Sequence, residues 1–453
     1  MYGMINIIND FSLNSEERLC ALKNWNKTAL NRNLIRNSGE INNHIHTIYS
    51  FSPYTPSMAA LMAFNAGLEA AGSVDHDSIA AAGEMLDACA VLGIGGCAGF
   101  ELRVSFKKSA DGKPSVFADK KLNNPDSEGL AYMTVQGIPK QSISQAAEFL
   151  TPIREERLKR TTAMTVSANV ILKEAGIKEI DFQRDIIDNS KYAAGGEITE
   201  RHLLAAAAEK IILKYGKGRD LTEGLKKKMG ITVSPKISTF LEDAKNPHYL
   251  YDLLGVLKTE MLPAVFIQPD EKECIPVTDV TSFAVCIGAI PSYAYLGDVG
   301  ESVTGDKKAE KFEDDFIEEL FQGIAGYGFK AVTYMPPRNT IAQLLNVQRL
   351  CGKFGFMEIS GVDINSSRQS FNCKEVLQDE FRHLISTTWA LIAHERLSSV
   401  DKRYGLFSCD NPLAALDLEK RLASYASFGR KLNLFSPDET AAKITVEIDK
   451  GNY

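Results

Sequence analysis

His44 and His46 are the first side chains in this sequence that could bind a metal ion. They are separated by one residue in the stretch NNHIHT, and the 453-residue chain has only seven histidines in total. In a β-strand, side chains at i and i+2 point to the same face about 6.5–7 Å apart, so two imidazoles would stand side by side. A hydrogen-bonded pair of core histidines, or a chance His-x-His, is the alternative interpretation.

Three further stretches end in an acidic or imidazole side chain. AAGSV is followed by Asp75 and His76, GCAGF by Glu101, and the apolar residues 356–359 lead through glycine to Asp363. In βα barrels the active site is built where strands end and loops begin. Asp363 could instead cap the N-terminus of a helix. We predict that these side chains join the two histidines in a metal-centred hydrolytic pocket.

The surrounding elements alternate between strand and helix. Extended patterns cover 40–46, 70–76 and 95–105, and helical patterns cover 57–70 and 78–92, which predicts βα units with parallel strands. The stretches REERLKR and ERHLLAAAAEK are helical with no strand between them, which predicts a helical insertion over 152–256. Strand and helix then alternate over 284–295, 308–325, 328–335, 339–353 and 356–361, with a helix over 376–399.

The composition argues against several classes of partner. The chain has 51 Lys and Arg against 58 Asp and Glu, a net charge of -7, and its basic residues are spread among acids. We therefore expect no nucleic-acid partner and no membrane contact, whereas a small anionic substrate needs only a few local arginines. The eight cysteines form no Cys-x-x-Cys pair, and no export sequence or membrane span is evident, so we expect free, mostly buried thiols in a cytoplasmic protein.

Several motifs together resemble one known family, the PHP (polymerase and histidinol phosphatase) domain of metal-dependent phosphoesterases. The order and spacing that carry the resemblance are those of His44-x-His46-Thr47-x-x-Ser50 with Thr55-Pro56, Asp75-His76-Asp77, Gly99-Phe100-Glu101 and Gly361-Val362-Asp363. The resemblance covers most of 40–400 and includes the family's helical insertion.

The resemblance implies a fold and a domain organisation. The fold is a distorted seven-stranded TIM-like (β/α)7 barrel, discontinuous over 38–151 and 257–400, with the α-helical insertion at 152–256. An N-terminal extension, 1–37, has the pattern of an amphipathic helix over 14–30, and a C-terminal tail, 401–453, is expected to pack on the barrel.

The resemblance also implies a metal site, and this chain departs from the family's pattern of up to three metals. His44, His46, Glu101 and Asp363 match the full ligand set of the first metal, with Glu101 bridging to a second. Positions that carry ligands of the other metals in the family are occupied here by Phe51, Tyr132, Tyr295 and Asn365. We therefore expect a single divalent ion, either zinc, manganese or iron, because these ligand types suit all three.

The function implied is a phosphoesterase that acts on a small phosphomonoester or nucleotide through a metal-bound hydroxide. His76 and Asp75 are the predicted catalytic residues, with His76 as proton donor to the leaving group, although a structural imidazole would fit His76 equally. Arg338 and Arg368 are predicted to bind the phosphate, ahead of Arg103.

Other interpretations stay open at this point. Arg201 and His202 lie in the insertion, where they could cap the pocket, but a solvent-facing helix start is favoured. The replaced ligand positions motivate an alternative function, a catalytically depleted PHP-like metal-binding or regulatory module. A nuclease or polymerase-associated role follows from the family name only. The substrate, the metal and the oligomeric state are not determined by the sequence.

Overall fold

The structure, a computed structural model, describes residues 2–28, 37–299 and 310–451. Within these residues one seven-stranded sheet has its strands side by side in chain order, and it curves into a nearly closed barrel. The strands are β1 (Ile41–Ile45), β2 (Ala70–His76), β3 (Gly95–Ser105), β4 (Leu130–Gln136), β5 (Ile290–Ala294), β6 (Ala331–Tyr334) and β7 (Met357–Ser360). The predicted distorted seven-stranded TIM-like barrel with helical parts is confirmed.

The expectation that all strands are parallel is wrong for β4. This strand, which is not among the predicted ones, runs antiparallel to both β3 and β5, while the other neighbouring pairs are parallel. A parallel neighbour needs a long crossover, usually a helix. The connection over 106–129 has no α-helix and folds back on itself through a bridge between Lys108 and Pro114. The chain therefore re-enters the sheet from the end at which β3 left it.

The barrel closes between β1 and the residues that follow β7. The backbone N–H of His46 donates to the carbonyl of Ile364 at 2.9 Å, and the N–H of Ile364 donates to the carbonyl of His44 at 3.1 Å. The side chain of Asn42 also bridges this seam, because it donates to the carbonyl of Val362 at 3.0 Å and accepts from the Val362 N–H at 2.9 Å. We call these contacts the closing seam.

The helices up to residue 265 are α1 (Tyr2–Ile8), α2 (Ser15–Lys27), α3 (Pro56–Asn65), α4 (Ala82–Leu92), α5 (Ile143–Glu174), α6 (Glu200–Tyr215), α7 (Arg219–Met229), α8 (Pro235–Glu242), α9 (Tyr249–Glu260) and α10 (Leu262–Val265). Those after it are α11 (Val277–Ile287), α12 (Ile317–Gly326), α13 (Ile341–Phe354), α14 (His383–Val400), α15 (Leu418–Lys431) and α16 (Pro437–Asp449).

Some predicted elements have different bounds in the structure. The predicted helix over 14–30 is α2, and residues 29–36 lie outside the described part of the chain. The pattern over 284–295 joins the end of α11 to β5. The pattern over 308–325 corresponds to α12, and its first two residues lie outside the described part.

Helix α5 connects two hydrophobic cores. Its first half contributes Leu150 and Ile153 to the core of the barrel, and its second half contributes Met164 and Leu172 to a separate core formed by the insertion. In the C-terminal region, α15 and α16 pack against α14. All eight cysteines are free and five are buried, as predicted. Among the described residues, no helix combines the length and the apolar character that crossing a membrane requires.

The closing seam leaves no room for a side chain at Gly361. A Cβ atom at this position would lie 2.6 Å from both the backbone nitrogen and the Cβ of His44, and 3.1 Å from the Asn42 side-chain oxygen. We expect Gly361→Ala to lower both the thermal unfolding midpoint and the affinity for Zn²⁺, because the seam must open to admit the methyl group.

Gly352→Ala is the matched control. Gly352 lies in α13, and a Cβ there would meet nothing within 4 Å, so this variant should be unchanged or more stable by about 0.5–1 kcal/mol. Equal behaviour of the two variants in differential scanning calorimetry and in Zn²⁺ titration would contradict the role given to the seam.

Candidate metal centre

The predicted ligands meet at one end of the barrel. His44 and His46 lie at the carboxyl end of β1, and His76 ends β2. Glu101 lies within β3 and is paired in register with His76. Asp363 follows β7, between the two residues that form the closing seam with β1. The seam therefore brings a carboxylate 317 residues away in the chain next to His46.

The distances among these side chains are short. The Nε2 atom of His46 lies 3.3 Å from the Asp363 Oδ1 atom and 3.8 Å from the Glu101 Oε2 atom, and the His44 Nε2 atom lies 3.7 Å from the Glu101 Oε1 atom. Two ligand atoms about 2.1 Å from a tetrahedrally bound ion stand about 3.4 Å apart. The mutual spacing of His44, His46 and Glu101 is therefore close to that of a metal site, and Asp363 lies beside His46.

An unpartnered atom supports the same conclusion. His46 is almost fully buried, yet its Nε2 atom has no hydrogen-bond partner in the described part of the chain, although it faces two carboxylates. A buried polar atom without a partner costs free energy. A divalent cation bound by His44, His46, Glu101 and Asp363 would satisfy the nitrogen and compensate both carboxylates. The residues thus fit a metal ion.

Burial and mutual charge shift the protonation of the cluster. Burial lowers the pKa of His44 and raises the pKa of Glu101, because each is disfavoured in its charged form. Burial also acts to lower the pKa of His46, but the effect of the Asp363 carboxylate is larger, so the pKa of that imidazole is raised. Burial acts to raise the pKa of Asp363, but the nearby His46 imidazole brings it well below its usual value.

Asn365 and Arg201 fix the orientation of Asp363. The Asn365 side-chain NH2 donates to the two Asp363 oxygens at 2.8 and 3.0 Å. The Arg201 guanidinium, on α6 of the insertion, donates to the Asn365 side-chain oxygen at 3.1 Å and to its carbonyl at 2.8 Å. Arg201 therefore faces the site, and its favoured interpretation as a solvent-facing residue is wrong. His202 is buried, and its Nδ1 atom accepts from the Thr199 N–H at 3.0 Å.

The ring of Phe51 packs against the guanidinium of Arg201. The ring lies 5.5 Å from the guanidinium carbon of Arg201 and 4.9 Å from the ring centre of His202. The backbone of Phe51 has a positive φ of 77°, which is uncommon for a residue with a side chain. A position expected from the family pattern to carry a metal ligand therefore holds a cation–π platform for an arginine.

The cluster opens into a cavity of about 280 Å³ between the barrel and the insertion. Its charged and imidazole lining consists of His44, His76, Glu101, Arg103, Asp126, Arg157, Glu200, Arg201, Lys258 and Asp363. Apolar side chains complete the wall, among them Leu204, Leu262 and Phe266. His46 lies behind this surface, with its ring 4.5 Å from the ring of His76. The Nδ1 atom of His76 is 3.0 Å from the Glu101 Oε2 atom.

A buried ion network joins the barrel to the insertion beside the cavity. Arg157 contacts Asp77 and Glu200, and Arg160 contacts Glu200 and Glu273 at 2.6 Å each. Arg103 of β3 contacts the same two glutamates. The network pairs three arginines, Arg103, Arg157 and Arg160, with three acids, Asp77, Glu200 and Glu273, so its charges balance. The sequence offered one indication, since Arg157, Arg160 and Met164 recur at the helical spacing of a buried face.

The two arginines predicted to bind phosphate lie elsewhere. Arg368 forms a bidentate pair with Asp252 at 2.6 and 2.7 Å, so its guanidinium is already neutralised. Arg338 donates to the Leu296 carbonyl at 3.2 Å and does not line the cavity. Arg103, ranked below them from the sequence, does line it. Neither Arg338 nor Arg368 lines the cavity. The sequence does not specify how the loops that carry them pack.

Asp75 is not in the cavity either, although it was predicted to be catalytic. Adjacent residues of a strand point to opposite faces, so Asp75 turns away from His76. It is buried and accepts three hydrogen bonds, from the Thr47 N–H, the Thr47 hydroxyl and the Ser50 hydroxyl. Asp75 is therefore not among the residues that line the cavity.

The two tyrosines at expected ligand positions both line the cavity. Burial raises the pKa of Tyr132, whose ring lies 5.7 Å from that of His76. The Tyr295 hydroxyl donates to the Asp314 Oδ1 atom at 2.6 Å. Neutral phenols are poor metal ligands, so neither position favours a second ion.

Comparison with known proteins adds little to this geometry. No protein-family model and no curated protein matches the chain. Among solved structures it is similar to an amidohydrolase from Chromobacterium violaceum with bound sulfate and no metal, at 16% identity and a TM-score of 0.46 over 74% of this chain and 90% of the other. It is also similar to a protein from Bifidobacterium adolescentis provisionally assigned as a metal-dependent phosphoesterase, at 15% identity and a TM-score of 0.48 over 77% and 96% of the chains. At these values neither likeness informs the chemistry, and membership of the PHP family stays a prediction.

The donor set predicts metal binding that depends on His46. We expect His46→Ala to weaken Zn²⁺ binding by more than about 100-fold, since loss of an outer hydrogen-bond partner alone costs about 10–100-fold. Isothermal titration calorimetry on protein stripped of metal measures this directly. His383→Ala is the control, because His383 is partly exposed and contacts Glu358 outside the site. Unchanged affinity in His46→Ala would contradict the assignment.

Proposed function

We propose that this protein is a metal-dependent hydrolase that cleaves a small phosphomonoester or nucleotide. The observation that carries the proposal is a cavity that combines a metal-binding donor set with an arginine, Arg201, that forms no ion pair among the described residues. A divalent cation in this site would supply Lewis-acid chemistry, polarising a phosphoryl oxygen and acidifying water.

The positive charge of Arg201 is what favours a phosphate over a neutral substrate. Among the residues that the structure describes, its terminal nitrogens donate only to oxygens of Asn365, which carry no net charge, and its buried Nε atom has no hydrogen-bond partner. The arginines of the ion network, by contrast, are matched by acids. Lys258, an exposed side chain of α9, also lines the cavity. A dianionic phosphate would balance these two cations and occupy the free N–H of Arg201.

Each remaining residue has a defined part in the proposed reaction. His44, His46, Glu101 and Asp363 would hold one metal ion, because Phe51, Tyr132, Tyr295 and Asn365 are engaged in other contacts. Arg201 would orient the phosphate beside that ion. His76 lines the cavity and is the proposed proton donor to the leaving-group oxygen. Burial lowers its pKa, so its neutral imidazole would first take up a proton from the attacking water.

The proposal is tested by metal analysis and an activity panel. The protein is purified without added metal, its metal content is measured by mass spectrometry, and phosphomonoesters and nucleotides are assayed with Zn²⁺, Mn²⁺ and Fe²⁺. Amide substrates belong in the same panel, because a Lewis acid activates a carbonyl as well as a phosphoryl group. We expect about one bound metal per chain and release of phosphate. Cleavage of amides alone would overturn the phosphoesterase proposal.

The alternative function is a metal-binding or regulatory module without turnover. It is favoured by the Tyr295 hydroxyl and the Asn365 amide, which bind Asp314 and Asp363 at positions where a second metal would need ligands. Bound metal without hydrolysis of any substrate in the panel would support this alternative, and absence of metal binding would exclude both functions.

The proposal predicts that Arg201 contributes mainly to substrate binding. We expect Arg201→Met to raise KM for an active phosphomonoester by about 10–100-fold, because a hydrogen bond to a charged group contributes roughly 1.5–3 kcal/mol. Arg201→Lys should recover part of the loss. Arg368→Met is the matched control, since that guanidinium is paired with Asp252 outside the cavity. An equal change in KM for Arg201→Met and Arg368→Met in steady-state kinetics would argue against the phosphate contact.

A further inference from the structure

Asp75, Ser50 and His46 form a continuous hydrogen-bonded chain behind the metal centre. The Ser50 hydroxyl lies 2.5 Å from the Asp75 Oδ1 atom and 3.2 Å from the His46 Nδ1 atom. A turn places Ser50 there, because its N–H donates to the Thr47 carbonyl at 3.1 Å and brings the hydroxyl back to the histidine four residues earlier. All three side chains are buried.

The direction of each hydrogen bond follows from counting donors. The Asp75 Oδ1 atom already accepts the Thr47 N–H at 2.6 Å, so it is an acceptor for Ser50 as well. The hydroxyl has one hydrogen, and Asp75 receives it. Only lone pairs of Ser50 then face His46, so the Nδ1 atom must be the donor in that contact.

We infer that Asp75, acting through Ser50, holds His46 in the tautomer that carries its hydrogen on Nδ1 and its lone pair on Nε2. A neutral imidazole has one N–H, so fixing it on Nδ1 leaves Nε2 bare. Nε2 is the atom that faces Asp363 at 3.3 Å and Glu101 at 3.8 Å, where a metal would bind. Asp75 and Ser50 are thus positioning residues, and the carboxylate predicted to be catalytic acts through the histidine.

Thr47 provides a matched control within the same contact. Its hydroxyl donates to the Asp75 Oδ2 atom at 2.6 Å, so it binds the same carboxylate as Ser50, and no hydrogen bond links that hydroxyl to His46. Thr47→Val removes this bond, and the longer contact of the Tyr49 N–H with the same hydroxyl at 3.3 Å, with little change of shape. Ser50→Ala removes the link to the histidine, and Ser50→Thr restores a hydroxyl.

The inference rests on the metal site of the proposed function but not on its substrate, so the test uses Zn²⁺ itself. We expect Ser50→Ala to weaken Zn²⁺ binding in calorimetry by about 10–100-fold. Thr47→Val should bind nearly as well as the wild type, and Ser50→Thr should recover most of the affinity. In the Zn²⁺-loaded wild type, ¹⁵N-histidine NMR should show His46 with its hydrogen on Nδ1.

Three outcomes would overturn the inference. These are wild-type affinity in Ser50→Ala, equal weakening in Thr47→Val, and an NMR spectrum with the hydrogen on Nε2. Thermal unfolding of each variant confirms that it is folded, and the NMR spectrum of the wild type decides the question if Ser50→Ala does not fold. Absence of Zn²⁺ binding by the wild type would overturn the proposed function together with this inference, whereas unchanged affinity in Ser50→Ala would overturn the inference alone.

Discussion

The closing seam between β1 and the residues after β7 is the constraint on which the candidate site depends. Two backbone hydrogen bonds join His44 and His46 to Ile364, and Asp363 lies directly before that residue. The seam is narrow enough to require glycine at Gly361. If the barrel were open here, no contact would hold Asp363 next to His44 and His46. The hydrogen bonds that close the barrel therefore also bring the donor set together.

The insertion completes the site rather than only covering it. Arg201 reaches from α6 to Asn365, which in turn holds both oxygens of Asp363. The balanced ion network ties α5 and α6 to β3, and burying so many charges is tolerable only because each has an opposite partner. Removing one member would leave a buried charge uncompensated. The shape of the cavity thus depends on packing between two hydrophobic cores, and its positive charge outside the network comes from Arg201 and Lys258.

Replaced ligand positions have taken other roles in this chain. Phe51 forms a platform beneath Arg201, Asn365 orients Asp363, and Tyr295 donates to Asp314. Because each of these side chains is already engaged in a contact, we propose that the site holds one metal ion and that the Arg201 guanidinium is held beside it. A positively charged side chain beside one ion can share the task of neutralising a phosphate.

The sequence by itself determined the parts of this protein that depend on local period and spacing. Strand ends carried His44, His46, His76 and Glu101, and the order of motifs indicated the barrel. The strand period of two also implies that Asp75 and His76 point apart, although the sequence-based assignment made both catalytic. Only the tertiary structure decided the direction of β4 and which arginines face the cavity, because these follow from contacts between segments far apart in the chain. Arg201 and Arg368 look alike in sequence, and they differ only because one faces an amide and the other a carboxylate.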